Sequence, residues 1–472
     1  MGGLEMRRRL LICILLGVVA LTGCGKEKEK EEKIKLVWQS HEDLNRNAEY
    51  FNKILQEKGY PYEVEFVTSE TVKDNQVVDI METGMESWEK PYDTDEDVRE
   101  GKLLALDEYL KTEKGRKIKE TVPQKMWDSY KIDGKQYSIL MPGQMPYSVA
   151  YIWNTELAKK YDVHSETWTE DIWNYEEEFR KIAEHERKSG NENFLAVSDL
   201  LMYSEEIPGL THALGIMYPI VIQEEEDNPR AEFLYETEYY QESLAKIRKF
   251  YELGLCDQEK ENRGIEPFFR IETVFQTKNG YLALQEDDFW DTHEVKTIYQ
   301  ETMWELGNPH RELGITTESK KPEAAFDLLY LMYTDGELVN ALSWGEEGVS
   351  YEVVDGKAVE PGTKKGYIPR RPSGNMLLAY PEVNSDKNFG KLYPAEMEKA
   401  AMSKLSGFRF HGENVKQELD AVAKLWELVS AREEKIVLDD MEEIIQKYKE
   451  AGIDKIVEEW NRQFSEWKRE SR

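Results

Sequence analysis

Few of the 472 residues are spaced for covalent or metal chemistry. There is no His-Glu-x-x-His, no Gly-x-Ser-x-Gly and no Gly-x-x-x-x-Gly-Lys, the segments that build a zinc hydrolase, a serine nucleophile and a phosphate cradle. The seven histidines show no metal-ligand spacing. Ninety-four Asp and Glu could hide the acid pair of a glycosidase, which has no fixed sequence spacing. A charge-rich surface accounts for those carboxylates more simply. Of three cysteines, Cys256 stands alone, and a packed, inert thiol outweighs a nucleophile there. Aromatic residues are abundant instead, with twelve Trp and 26 Tyr. Such side chains pair a flat apolar face with a polar tip, which suits holding a ligand rather than cutting it.

Of the other two cysteines, Cys13 lies in a leader and Cys24 directly follows it. Arg7, Arg8 and Arg9 precede an apolar run, Leu10 to Leu21. The run falls short of the roughly 20 apolar residues of a membrane span, but it suits the apolar region of an export signal. It stops at Leu21-Thr22-Gly23-Cys24, which resembles the lipobox of bacterial lipoproteins, whose cysteine is acylated and becomes the first mature residue. Residues 1–23 are thus read as signal peptide and 24–33 as a charged, solvated tether. The net charge of −32 opposes nucleic-acid binding and close docking on anionic lipid, so lipid on Cys24 would be the membrane attachment.

The remainder must position any site. Alternation predicts strands over 34–38 and 62–67, with a helix over 48–58 ended by Gly59 and a buried strand over 77–81. Strands alternating with helices predict βαβ units and a mostly parallel sheet. Further strands are expected over 136–140, 149–153 and 280–284. Helices are expected over 155–160, 173–187, 238–253 and 324–332, and another from a capping box at Thr334 to Glu337. Near the carboxyl end, Ile453, Ile456, Trp460, Phe464 and Trp467 recur at helical spacing, which marks both tryptophans as core. Trp168 and Trp173 are expected to pack a second lobe.

Several segments, in this order, resemble the family 1 extracellular solute-binding lipoproteins of ABC importers, the sugar-binding type. They are residues 100–107 (EGKLLALD), 133–139 (DGKQYSI) and 151–157 (YIWNTEL). Residues 320–329 (KKPEAAFDLL), 332–338 (MYTDGEL), 344–348 (WGEEG), 374–380 (GNMLLAY) and 451–456 (AGIDKI) resemble the subgroup with an extra C-terminal domain. The resemblance implies a type II periplasmic-binding-protein-like fold, two α/β lobes around a hinge and cleft with extra C-terminal helices. The expected division is 34–150 with about 280–310 in lobe 1, 151–279 with about 311–400 in lobe 2, and 401–472 as a helical region packing on the lobes. It also implies a monomer without cofactor or enzymatic activity. Such a protein would be anchored on the extracellular face of a bacterium without an outer membrane, and would deliver a carbohydrate to permease subunits. A peptide or other small polar solute, a surface glycosidase and an adhesive lipoprotein are the alternatives.

A sugar site needs aromatic platforms and polar groups for hydroxyls, placed at strand ends, where α/β sheets bind ligands. The candidates are Trp38 and Gln39 after the first strand, Asp79 at the third and Trp88 beyond it. Tyr147 and Trp153 flank the first crossing between lobes, and Gln285, Asp287 and Trp290 follow the strand taken to return. Trp344 and Glu346 sit at a helix end and Arg370 in a Pro-rich loop. Trp38, Trp88 and Trp344 fit a cleft wall or the core equally. Asp79 fits ligand contact or a backbone role, and Arg370 fits an acidic sugar or, more simply, solvent.

Overall fold

The computed structural model describes residues 33–84, 94–142, 147–164, 172–198, 200, 210–215, 217–223, 228–277, 280–282, 292–297, 303–304, 311–362, 373–381, 387–399, 401–432 and 434–470. Leu36 and Trp38 point inward from β1 (Ile34–Gln39). β1 pairs in parallel with β2 (Tyr62–Val67) along all six residues. Helix Asn45–Glu57 makes the crossover and buries Asn47, Phe51, Ile54 and Leu55 along one stripe. Its end is closed by Gly59 at φ 76°, with Tyr60 N–H donating to Leu55 O at 2.9 Å. That is the 6→1 bond of a Schellman cap, and it requires the left-handed residue that glycine supplies.

β3 (Ile80–Gly84) continues the parallel order, three residues later than its apolar run suggests. Asp79 N–H still bonds Val37 O at 2.9 Å, but the Asp79 side chain, not a ladder, fixes that stretch. β14 (Arg311–Ile315) then lies antiparallel between β3 and β4 (Ser138–Leu140), giving the order β2-β1-β3-β14-β4. Helices Pro322–Thr334, Gly336–Ser343 and Phe389–Lys399 cover this sheet and share its core. Pro322 opens the first of them, and Asp335, rather than Thr334, caps the second by accepting Glu337 N–H at 3.1 Å. The expected assignment of 311–400 to lobe 2 is therefore corrected, because β14 completes the first-lobe sheet and its helices fill the first-lobe core.

The second lobe is built on β5 (Tyr147–Asn154), which pairs antiparallel with β10 (Phe269–Thr277) and with β12 (His293–Thr297). β6 (Val197–Ser198) and β11 (Gly280–Leu282) flank β10. A separate sheet runs β7 (Leu210–His212), β8 (Ile220–Gln223) and β9 (Glu232–Phe233). Helices Glu176–Lys188 and Glu238–Glu252 bury Phe179, Ile182, Leu244, Ile247 and Phe250 beneath them, with Trp173 edge-on to Phe250 at 5.3 Å. Cys256 is packed in the same core. Segment 280–297 thus stays in lobe 2, a second correction, because β11 and β12 are hydrogen-bonded to its sheet. The chain returns later, between β13 (Met303–Trp304) and β14, and leaves again through β17 (Ala401–Met402), which pairs in parallel with β13.

Residues beyond β17 form helices Lys416–Ser430, Glu434–Asp439, Met441–Ala451 and Ile453–Glu470. Their apolar stripe is buried in the second-lobe core rather than shared between lobes. Trp460 is fully buried and stacks on Phe464 at 4.8 Å, and Phe408 meets both rings. Asn461 donates to Ala231 O and accepts Ala231 N–H, both at 2.9 Å. A hairpin of β15 (Glu352–Val354) and β16 (Lys357–Val359) packs on Trp344 and Tyr351. Among the described residues no helix is long and apolar enough to cross a membrane.

Candidate functional site

In the first lobe, the carboxyl ends of β1, β3 and β4 and the start of β14 share one edge. The chain crosses toward the second lobe from the same edge, after Leu140 and before Arg311, so the edge is a lip facing that lobe. The lip carries carboxylates and hydroxyls. Ser40 Oγ donates to Glu82 Oε2 at 2.7 Å, and His41 N–H donates to the same oxygen at 3.1 Å. Thr83 Oγ1 bonds Asp97 Oδ2 at 2.9 Å and lies 3.2 Å from Thr94 Oγ1. Across β14, the fully buried Glu312 accepts from Ser138 Oγ.

These bonds explain how acids survive at a buried edge. A carboxylate there would otherwise lose its hydration, and each hydrogen bond to a charged group returns about 1.5–3 kcal/mol. Tyr333 closes the floor by donating to Leu140 O at 2.6 Å. Burial, and then the charges of Glu312 and Tyr393, hold its phenol well above the usual range. Met141 Sδ accepts Gly374 N–H at 3.3 Å, so segment 373–381 is fixed beside the lip. One more polar atom here, His41 Nε2, is buried without a hydrogen-bond partner among the described residues. Acceptor carboxylates beside hydroxyls and the His41 ring make an edge suited to a ligand rich in hydroxyl groups.

Several expected site residues lie elsewhere. Trp38 is fully buried against Phe66, with ring centroids 5.7 Å apart, so its face serves the core and not the cleft. It shares the inward face of β1 with Leu36, whereas Gln39 alternates to the other face and is half-buried. Asp79 takes the backbone role. Its two oxygens accept Val37 N–H at 3.0 Å and Ser319 Oγ at 2.6 Å, pinning β1 to the turn after β14. Trp153 is buried in the second-lobe core. Trp344 is buried against Tyr351 and donates Nε1–H to Tyr380 O at 3.1 Å. Glu346 is half-buried and pairs with Lys53 of helix Asn45–Glu57 at 3.2 Å. Tyr147 opens β5, opposite Phe275. Its side chain, Trp88, Gln285, Asp287, Trp290, Arg370 and Cys24 lie outside the described residues. The residues overlooked were Ser40, Glu82, Thr83, Ser138 and Glu312. A glutamate inside a short strand, as in residues 80–84 and 311–315, is the readable signal.

Among the described residues no group of three His, Cys, Asp or Glu is placed to hold a metal. A surface groove of about 530 Å³ between helices Glu113–Lys119 and Pro322–Thr334 is separate from the lip, and its walls include Tyr109, Phe326 and Tyr330.

Two lobes, a polar lip and three crossings define the fold of two-domain solute-binding proteins. Comparison with known proteins agrees. Residues 404–469 match a family described as a domain of unknown function, DUF3502. A curated protein of Streptococcus pneumoniae serotype 4, a carbohydrate ABC transporter substrate-binding protein, is 23% identical over 352 residues, 71% of this chain and 70% of that protein. The N-glycan transport solute binding protein NgtS of Streptococcus pneumoniae superposes with a TM-score of 0.68 at 20% identity, covering 93% of this chain and 99% of that one. Its complex with Man5GlcNAc gives 0.59 at 19% identity, covering 93% and 99%. An extracellular solute-binding protein of Bifidobacterium longum subsp. infantis gives 0.57 at 12% identity, covering 92% and 98%. The resemblance to sugar-type extracellular solute-binding proteins with an extra C-terminal domain is borne out, and the C-terminal match falls on the helices fused to lobe 2.

Proposed function

We propose that this chain captures a carbohydrate, an oligosaccharide, between its lobes and presents it as a monomer to the permease of an ABC importer. The observation that carries the proposal is the lip of Glu82, Glu312, Ser40, Ser138 and Thr83 on the edge where one lobe of a two-domain binding fold faces the other. Closure of such lobes around a ligand is an established motion. The relatives named for carbohydrate and N-glycan transport favour a glycan over a peptide or other solute. They are transport proteins, which favours binding without turnover.

Calorimetry against a glycan panel that includes Man5GlcNAc tests this. A bound glycan should raise the melting temperature by mass action. Glu82→Gln should weaken binding by about 10- to 100-fold, as expected for a lost charged hydrogen-bond acceptor. If no glycan produced heat or a thermal shift, the carbohydrate assignment would fall.

The same proposal includes the anchor. Lipid on Cys24 would hold the lobes near the permease on the outer face of a cell that lacks an outer membrane. Cys24→Ala should then leave glycan binding intact and release the protein into the medium. Full retention on the cells would rule the anchor out.

A further inference from the structure

The helices of residues 404–469 belong to a family without an assigned role, yet their contacts differ sharply between the two lobes. Toward lobe 2 they are fused through a shared apolar core and through the two-way bond of Asn461 with Ala231. Toward lobe 1, among the described residues, the contacts are polar and concentrated on one loop. Arg409, nearly buried, lies 3.6 Å from the Asp95 carboxylate and donates to Ser129 O at 3.1 Å. The reciprocal pair is Arg99, on the same first-lobe helix as Asp95, which donates to Glu413 and lies 3.4 Å from His411 Nδ1.

Both ends of this contact are stiff. On the second-lobe side, Gln463 accepts His411 N–H at 2.9 Å and donates to His411 O at 2.8 Å, while Asn414 donates to Glu459 at 3.0 Å. On the first-lobe side, helix Thr94–Arg99 is tied to the lip through the Thr83 hydroxyl on Asp97. The loop also begins a few residues after β17, where the chain passes between lobes. A rotation of one lobe on the other therefore moves Arg409 against Asp95, and the lip moves with Asp95.

We propose that the carboxyl-terminal domain is an interlobe clasp. It is built into the second lobe and grips the first through Arg409 on Asp95 and Ser129 and through Arg99 on Glu413, restraining the angle between lobes. Arg409 is its positioning residue. The opposing chemistry of the two contacts supports this. Apolar burial holds its partner continuously, while the exposed Arg99–Glu413 pair can be exchanged for water at small cost as a hinge turns and the nearly buried Arg409–Asp95 contact supplies the restraint.

The test needs no ligand, so its outcome is separate from that of the carbohydrate proposal. Spin labels would replace Glu113 in lobe 1 and Lys188 in lobe 2, both largely exposed, on a full-length chain with Cys13, Cys24 and Cys256 changed to serine. Pulsed dipolar spectroscopy would give the interlobe distance distribution. Arg409→Gln should broaden it and shift its mean by about 2 Å or more, the scale of domain rearrangements. Arg409→Lys, which keeps the charge, should move it less. Arg99→Ala should produce a smaller broadening that added salt reproduces in the parent, because this pair is exposed. Distributions of Arg409→Gln and Arg99→Ala that superimpose on the parent would overturn the clasp. Should Arg409→Gln fail to fold, Arg99→Ala alone decides, since Arg99 is a surface residue.

Discussion

Against the second lobe the carboxyl-terminal domain packs Tyr448 on Phe233 and Tyr235, within a shared apolar core that also holds its own Trp460, Phe464 and Phe408. Against the first it presents Arg409, His411 and Glu413. The first contact excludes water through one apolar core shared by both parts. The second is a handful of directional bonds. Apolar surface costs roughly 25 cal/mol per Å² to re-expose, whereas an exposed ion pair such as Arg99–Glu413 contributes about 0–1 kcal/mol. The domain and lobe 2 are therefore one folding unit, and lobe 1 is a second unit held to it by crossings and a clasp. A two-domain binding protein needs that asymmetry, with rigid bodies inside and a weak polar contact between them.

The largest expected effect breaks the strong side of the contrast. Trp460→Ala should cost about 3–5 kcal/mol, as for other buried aromatic truncations. In a urea titration followed by lobe-specific probes, the loss should fall on the second-lobe transition and leave the first in place. A loss confined to the terminal helices would show that they fold as an appendage. Asp79→Ala is the counterpart in lobe 1. It strands Val37 N–H and Ser319 Oγ and should cost about 2–3 kcal/mol, read on the first-lobe transition only. Arg99→Ala comes next, at no more than about 1 kcal/mol in either transition, because Arg99 and Glu413 are both largely exposed. A multi-kilocalorie loss there would make the clasp a structural joint instead of a movable one.

These expectations bear on what was readable in the chain. β1, β2 and helix Asn45–Glu57 follow from alternation, a 3.6-residue stripe and a terminal glycine, all local signals. β14 does not, because its strand of five residues is placed by pairing with β3 and β4, more than 170 residues earlier. The membership of 311–400 in the first lobe is hidden with it. The aromatic candidates misled for a related reason. Trp38 and Trp344 do stand at element ends, but a large apolar ring is stabilised more by a nearby core than by a cleft wall, and both found one. The polar lip is written in the chain as Glu82 and Glu312 inside short strands whose burial needs partners such as Ser40 and Ser138 from elsewhere.

The smallest expected effect sharpens the claim of one unit through pH. Glu186, in the second lobe, accepts from Lys160, Tyr161 and Asn191, which lower its pKa from 4.5 to about 2, Lys160 foremost. Glu459, in the terminal helix, is also lowered to about 2, chiefly by Arg462 and then by Gln463 and Asn414. Both folded values lie below the unfolded one, so both groups add stability that is complete above about 4.5 and is lost as pH falls toward 2. Water screens these pairs, since Lys160 and Arg462 are half exposed. Glu186→Gln removes bonds to partners on other segments of lobe 2, whereas two of the groups bonded to Glu459 lie one turn away on its own helix. Glu186→Gln should therefore flatten the acid slope more than Glu459→Gln. If the helices and lobe 2 unfold together, both variants must act on the same transition between pH 4.5 and 2. Acid titrations at fixed urea in which Glu459→Gln moved a transition that Glu186→Gln left untouched would divide the unit in two.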